Sequence, residues 1–130
     1  MKIVAIEPLL VDKYFYIRVT TDNGLTGVGE SGAWGFPEAS AGAVEVFREY
    51  LLGKDPLRVE YHIQYLYKSF HFRGAAIMGA LSAVDIALWD IAGKYYGVPV
   101  YRLLGGGGRC RDKIRTYVHV KSPSIEEHVR

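Results

Sequence analysis

The stretch SAVDIALWDIAGKYYGVPVYRLLGG, residues 82–106, sets two aspartates, a tryptophan and a lysine in a largely apolar run. Apolar residues recur at spacings of three and four from near Ala75 onward, which predicts one long amphipathic helix. Gly97 is a typical C-terminal stop for that helix. The apolar stripe consists of Ile77, Leu81, Val84, Leu88, Ile91 and Tyr95.

Small residues on the other sides of this helix indicate that further elements approach it closely. They are Gly79, Ala80, Ala83, Ala87 and Gly93. We therefore expect a helix that is buried on more than one side and that the other elements of the fold pack against.

The two aspartates do not form a catalytic pair in this interpretation. Asp85 and Asp90 lie five residues apart, about 140° around a helix of 3.6 residues per turn. Asp90 and Lys94 are spaced four apart in the acid-first order, which predicts an ion pair. Asp85, one turn before Trp89, is read as structural rather than catalytic.

The sequence of the first third of the chain predicts three strands. Residues 3–11, 14–20 and 25–30 are rich in β-branched, aromatic or alternating residues, and Asn23-Gly24 tolerates the positive φ angles of a hairpin turn. The link at Asp12 and Lys13 is short. The strands should form an antiparallel meander.

Three helical segments follow, so the fold class is α+β. The first begins at Pro37 and ends at Gly53. The second should have Asp55 as N-cap and Pro56 at its first position, and should carry apolar residues through Phe70. The sequence HFRGAA separates it from the long helix.

The end of the sequence resembles the first half of a βαβ unit. Residues 113–120 have strand character, and SPSIEEHVR, residues 122–130, has the chemistry of a helix start. We therefore expect the sequence to be truncated, with a β/α domain missing downstream.

Composition excludes several classes of function. The 130 residues suit one domain, and a net charge of +2 does not imply a polyanionic partner. The single cysteine, Cys110, provides no disulfide framework, which favours a reducing compartment and a cytoplasmic protein. The N-terminus is a poor signal peptide, and no uninterrupted apolar stretch reaches about 18 residues, so no membrane span is expected.

The polar clusters favour structural interpretations. His62, His71, His119 and His128 lack metal-site spacing, so no metal site is expected within this chain. A basic run between Arg102 and Lys121 fits either a nucleic-acid patch or a linker that is solvated or paired with an acidic surface. The second interpretation is favoured, and no nucleic-acid partner is expected.

Two places could contact a small ligand. Trp34 and Phe36 lie in the glycine-rich loop GESGAWGFPEAS, and they either close over a ligand or fill the domain's own core. His119 lies near the end of the predicted strand at 113–120. If that strand opens a barrel, its C-terminal end faces the active site, and His119 contacts substrate; otherwise it is a structural histidine.

The chain resembles the N-terminal part of the enolase superfamily, in the mandelate racemase and muconate lactonizing group. The similarity is carried by TDNGLTGVGES, by LLGKDPLRVE, and by residues 82–106 followed by RDKIRTY. FHFRGAAIMGALSAVDIALWDI is similar in particular to dehydratases of galactonate or mannonate.

This resemblance implies a capping domain at 1–112 that precedes a modified (β/α) barrel. The first strand and the start of the first helix of that barrel are expected at 113–130, and its remainder is expected to be missing from the sequence. Members of the family bind Mg²⁺ on later barrel strands, remove the proton α to a carboxylate, and stabilise an enediolate; in dehydratases the β-hydroxyl then leaves as water. None of the metal ligands, bases or acids falls within residues 1–130. The chain alone is therefore expected to be inactive. For the full-length protein the resemblance favours a Mg²⁺-dependent acid-sugar dehydratase. The alternatives are a racemase, a cycloisomerase or a free-standing non-catalytic binding module.

The resemblance also implies where the substrate lies. Two loops close over it in this family, and they correspond to the link around Lys13 and to residues 31–37. Lys13 either meets an anionic substrate group or is simply solvated. Mannonate-type dehydratases are similar in having a histidine at the place of His119, but they carry a polar residue where this chain has Trp34.

Arg73 is expected to brace a domain interface or a subunit interface. The protein is expected to be a homo-oligomer.

Overall fold

A computed structural model describes residues 1–33, 35–105 and 113–117. It confirms the α+β class, with a three-stranded antiparallel sheet in the order β1-β2-β3 followed by helices. The elements are β1 (Ile3–Val11), β2 (Tyr14–Thr21), β3 (Thr26–Ser31), α1 (Pro37–Leu51), α2 (Val59–Lys68), α3 (Ala75–Tyr96) and α4 (Val100–Gly105).

The two hairpin turns form at the positions that the sequence predicts. Asp12, in the turn between β1 and β2, has a positive φ of 54°. In the second turn Gly24 takes the positive φ of 86°, while the side chain of Asn23 accepts a hydrogen bond of 2.7 Å from the Thr21 hydroxyl. The glycine therefore supplies the backbone conformation and the asparagine a side-chain acceptor.

The sheet buries one face beneath the helices. Phe15, Ile17 and Val19 alternate along β2 and are essentially inaccessible to solvent. On the opposite face the Arg18 guanidinium donates to Glu7 at 2.9 Å, and both side chains are nearly half exposed. This pairing holds the pKa of Glu7 below its usual range.

Helix α3 packs directly on the backbone of β3. A Cβ atom built on Gly29 would overlap the carbonyl of Ala83, and one on Gly27 would overlap the carbonyl of Ala87. The small residues of α3 thus meet glycines of the strand, which confirms the close approach that the sequence predicts. The Gly97 stop is also confirmed, with φ at 68° and the amide of Val98 donating to the carbonyl of Gly93.

Asp90 and Lys94 form the predicted ion pair, at 2.8 Å, and they also attach α3 to β3. The Asp90 carboxylate accepts the backbone N–H of Val28 at 3.0 Å, and the Lys94 ammonium donates to the carbonyl of Thr26 at 2.7 Å. Because β3 lies at the edge of the sheet, these two side chains occupy backbone groups that no neighbouring strand in the described sheet uses.

Asp85 lies elsewhere on α3 and is half-buried. Burial, and to a smaller extent the nearby Glu60 carboxylate, raise the pKa of Asp85 above its ordinary value, while a hydrogen bond from Trp89 opposes that shift. Asp85 and Asp90 therefore have separate surroundings, as the helical spacing predicts.

One expectation about α3 needs correction. The ends of the predicted stripe are not buried, since Ile77 is 38% and Tyr95 51% exposed. The helix, at 22 residues, is long and apolar enough to cross a membrane by length and composition alone, although Asp85 and Asp90 interrupt its apolar run. Its buried side chains belong to the hydrophobic core of this domain, which accounts for its apolar character.

The predicted start and end of α2 were wrong. The side chain of Asp55 accepts the backbone N–H of Leu57 at 3.1 Å, which caps a separate turn, and α2 begins only at Val59. The turn is held by buried His62, whose Nε2 donates to the carbonyl of Asp55 at 2.9 Å. The helix ends at Lys68, so Phe70 lies in the link that follows it.

The predicted barrel strand is absent from the part of 113–120 that the structure describes. Residues 113–117 have no regular secondary structure and are exposed. A parallel barrel strand requires neighbouring strands for its hydrogen bonds, and the described sheet has only three antiparallel strands. The segment after Pro99, expected as a turn, forms the short helix α4. The domain boundary at residue 112 stays a prediction.

Candidate functional site

The sheet register brings the two predicted substrate loops to one end of the domain. Val11 pairs with Tyr14, so the turn at Asp12 and Lys13 lies at this end. Phe15 pairs with Ser31, so the loop that leaves β3 begins there as well. We call this region the loop end, and it comprises residues 12–13 and the described residues between 32 and 36.

A chain of buried hydroxyl groups holds the base of this second loop. Ser31 donates to the Ser40 hydroxyl at 3.2 Å, and Ser40 donates to the carbonyl of Ala76 at 3.1 Å. These bonds join the end of β3, the first turns of α1 and the first turn of α3. The backbone N–H of Ala33 reaches the Ser31 hydroxyl at the long distance of 3.5 Å.

The sequence analysis missed these two serines. The signal available was the inward alternation along β3, which places Ser31 on the buried face, and the apolar spacing of α1, which places Ser40 inside. Buried hydroxyls need partners, so each serine predicts a hydrogen bond, but the sequence does not show with which group.

Lys13 lies exposed at the tip of the β1–β2 turn. Its ammonium is 5.4 Å from the centroid of the Tyr14 ring, and that ring lies 6.4 Å from the ring of Tyr16. A cation presented at the loop end can attract an anionic ligand while its stem rests against an aromatic ring. This geometry is compatible with the predicted role of Lys13, which stays a prediction.

Phe36 immediately precedes α1 and is 74% exposed. Its carbonyl accepts the backbone N–H groups of Ala39 at 3.2 Å and Ser40 at 3.4 Å, which fixes the residue at the helix start. Of the two alternatives for this side chain, filling the domain's own core is therefore wrong. Contact with a ligand stays a prediction.

The other two candidate residues, Trp34 and His119, lie outside the described residues, as does Cys110. Their predicted roles are therefore untested. Among the described residues, no three histidine, cysteine or acidic side chains are grouped as a metal ion requires. These described residues therefore do not fit a Mg²⁺ site.

The geometry defines the class of this protein: an α+β domain with a meander, a helical layer and two adjoining loops at one end. Residues 3–105 match the family model of the mandelate racemase / muconate lactonizing enzyme N-terminal domain. The chain therefore belongs to this family and is an enolase-superfamily N-terminal capping domain.

Individual relatives agree with this assignment. D-galactonate dehydratase from Verminephrobacter eiseniae is 45% identical over 81% of this chain and 27% of its own length. A crystal structure of an enolase-superfamily member from Salmonella Typhimurium has a TM-score of 0.81 at 35% identity, covering 89% of this chain and 31% of that one.

A third relative has another activity in its name. The 3,6-anhydro-D-galactonate cycloisomerase from Zobellia galactanivorans has a TM-score of 0.73 at 34% identity, covering 82% of this chain and 32% of that one. The chain spans about a third or less of the length of the curated relatives it matches. The activities in these names therefore describe the longer relatives.

Proposed function

We propose that this chain is the substrate-capping part of an acid-sugar dehydratase that acts on galactonate or a similar sugar acid. The observation that carries the proposal is the 45% identity to a D-galactonate dehydratase across most of the domain. The reaction removes the proton α to the substrate carboxylate and expels the β-hydroxyl as water. The base, the acid and the ligands of a Mg²⁺ cofactor are expected outside residues 1–130.

The loop end is the part of the domain that would determine which sugar acid is accepted. Lys13 would attract an anionic group of the substrate, and Trp34 and Phe36 would cover it. The exposure of Phe36 and the position of Lys13 at the same end of the sheet support this assignment. Loops carried on a rigid sheet and helix layer are well suited to such a role.

The first experiment is to measure the intact mass of the protein produced from its full natural reading frame. A mass of about 40 kDa or more, which a cap plus a barrel of about 250 residues requires, supports the proposal. A mass near 14.5 kDa would overturn it for this molecule and favour a free-standing binding module.

The larger protein would then be screened against sugar acids with Mg²⁺ and after treatment with EDTA. We expect a 2-keto-3-deoxy sugar acid to form from its substrate, and the activity to disappear on chelation and return with Mg²⁺. Activity that survives complete metal removal would contradict the cofactor assignment.

His119 is proposed to contact the substrate from the first barrel strand. His119→Asn should then lower kcat/KM about tenfold or more, since a lost polar contact leaves a buried substrate group unpaired. If both kcat and KM stay at the values of the unchanged protein, the histidine is structural.

A cycloisomerase or racemase is the second candidate, favoured by the similarity to the cycloisomerase from Zobellia galactanivorans. Mass spectrometry of the product separates these reactions. A dehydratase releases water and lowers the mass of the sugar acid, whereas a racemase or cycloisomerase leaves it unchanged.

We further expect a cytoplasmic homo-oligomer with neither a nucleic-acid nor a membrane partner. The small net charge of +2 supports the first of these exclusions. Native mass measurement and cell fractionation test these expectations.

A further inference from the structure

Helix α3 lacks a side chain at the place where it meets the base of the second loop, residues 32–36. Gly79 is buried in the second turn of this helix. A Cβ atom built there would overlap the Ser31 hydroxyl, would lie 2.8 Å from the Cβ of Ala33 and would lie 3.3 Å from the Ser40 hydroxyl. Side chains from outside the helix therefore occupy the space that any residue other than glycine would need.

The three neighbours of Gly79 surround the second loop, and we call them the loop frame. Ser31 is the last residue of β3, Ala33 lies within the loop, and Ser40 lies in the first turn of α1, which follows the loop. The start, the middle and the end of the loop thus contact one point of α3. A change of volume at that point acts on all three, since a close-packed interior transmits displacement to its neighbours.

Ala33 is the residue through which the loop itself meets the interior. Among the described residues of the loop, Gly32, Gly35 and Phe36 are exposed, whereas Ala33 is half-buried. Gly35 has a positive φ of 91°. Glycines contribute no side chain to packing, so in the described part of the loop the methyl group of Ala33 is the group that rests against α3.

Hydrogen bonds hold the two hydroxyls in the gap beside Gly79. The Ser40 hydroxyl donates to the carbonyl of Ala76, one turn earlier on α3, and Ser31 donates to Ser40. A methyl group at position 79 would have to break the bond between the serines or push Ala33 outward. Overpacking of this kind shifts side chains and backbone, so the loop would move.

We propose that Gly79 is a positioning residue: its missing side chain lets the loop frame close against α3, and this contact determines where the loop holds Phe36. The inference rests on the proposed function, in which Phe36 covers the substrate, but Gly79 itself does not touch the substrate. A displacement of about 1 Å is enough to weaken a contact that depends on orientation. Gly79 thus affects substrate binding from the interior of the domain.

Gly79→Ala in the protein expressed from its full reading frame tests this role. We expect the KM for D-galactonate, or for the sugar acid that the screen identifies, to rise about tenfold or more while kcat changes less than about threefold, because a displaced covering side chain weakens binding. Partial unfolding would instead lower kcat and leave KM unchanged, since fewer molecules react. Gly42→Ala, where a Cβ meets nothing within 4 Å, is the control and should change neither constant.

Ala33→Gly probes the same contact without adding an atom to the interior, so the proposal stays testable if Gly79→Ala is poorly folded. It should raise KM by about threefold or more, because the loop loses the methyl group that rests on α3. Gly79→Ala should then have a smaller effect in this background, since the overlap with the Ala33 methyl group no longer exists. Its effect on KM should fall by at least about threefold relative to its effect in the unchanged protein.

Hydrogen exchange followed by mass spectrometry measures the loop without any substrate. Backbone amides of residues 32–36 should exchange faster in both variants than in the unchanged protein, because the loop opens more often when its contact with α3 is lost. Amides of β2 are compared in the same samples. In Ala33→Gly they should exchange at the unchanged rate, which checks that the core is retained.

Three results would overturn the proposal: an unchanged KM in both folded variants, unchanged loop exchange in both, or an equal effect of Gly79→Ala on KM with and without Ala33→Gly. Any of these together with normal dehydration leaves the proposed function standing and rejects the role of Gly79. If the full-length protein dehydrates no sugar acid, the proposed function fails, and the exchange rates then decide whether Gly79 holds the loop.

Discussion

At the scale of single residues, the loop end depends on polar groups inside the core. Ser31 and Ser40 are buried at 4% and 0% exposure, and their hydroxyls connect β3, α1 and α3. A buried hydroxyl without a partner costs free energy, so the pair is stable only while each member keeps its bond. These two side chains therefore fix the loop that carries Phe36.

Ser40→Ala should lower the free energy of unfolding by about 1–3 kcal/mol, because the Ser31 hydroxyl and the carbonyl of Ala76 both lose a partner. Urea unfolding measures the change. Ser82→Ala, at an exposed position on α3, is the matched control and should change stability by less than about 0.5 kcal/mol. Equal effects of the two substitutions would show that the hydroxyl chain contributes nothing.

Asp85 gives a prediction of pH dependence. Its pKa is raised in the folded protein, chiefly by burial, so the folded state holds the proton more tightly than the unfolded chain does. The stability it contributes is complete below the unfolded pKa of about 3.9 and is lost as pH rises through the folded pKa. Asp85→Asn should remove this decline.

Urea titrations at a series of pH values from about 4 upward test this difference. Glu60→Gln should reduce the decline without abolishing it, because the Glu60 carboxylate is the second cause of the raised pKa. If the unchanged protein and Asp85→Asn lose stability in parallel as pH rises, the assignment to Asp85 is wrong.

At the scale of elements, the fold depends on how closely α3 approaches β3. Gly27 and Gly29 allow the helix backbone at Ala87 and Ala83 to rest on the strand. Asp90 and Lys94 then hydrogen-bond to the backbone of the same strand. Steric fit and edge hydrogen bonds thus fix α3 relative to the sheet at successive turns.

Gly29→Ala should destabilise the domain by about 1–3 kcal/mol or more, because the new methyl group overlaps the carbonyl of Ala83 and backbone must move. Gly42→Ala is the matched control, since Gly42 lies within α1 and a Cβ there meets nothing within 4 Å. That substitution should stabilise by about 0.5–1 kcal/mol. Thermal unfolding compares them, and a neutral Gly29→Ala would refute the close packing.

At the scale of the whole molecule, the domain has two differing ends. The loop end carries Lys13 and Phe36. The C-terminal ends of α3 and β2 lie at the other end of the domain, near the turn at Gly24. A capping role requires that substitutions at the first end affect catalysis and that those at the second do not.

Trp34→Ala and Phe36→Ala should each lower kcat/KM of the full protein about tenfold or more, because a covering aromatic side chain is lost from the substrate. Tyr95→Ala, which removes a half-exposed ring near the end of α3, is the control and should have little effect. Steady-state kinetics on the substrate found by the screen measures the kcat/KM of each variant. Unchanged kinetics in both loop variants would exclude a covering role for these residues.

The sequence by itself determined the features that depend on neighbours along the chain. The meander, the long helix, its stop at Gly97 and the Asp90–Lys94 pair all follow from spacing within an element or from the residues of one turn. The predicted start of α2 failed because His62 holds the turn at Asp55 separately from the helix. A local capping pattern does not reveal such a contact.

Only the tertiary structure decided which faces meet. Gly29 on Ala83, Ser40 between Ser31 and Ala76, and the exposure of Phe70 and Phe72 each depend on residues distant in sequence. Periodicity specifies that a side chain lies on an apolar face, but the packing of other elements determines whether that face is covered. For this reason the sequence predicted the elements, and the structure showed which of their residues meet and which stay exposed.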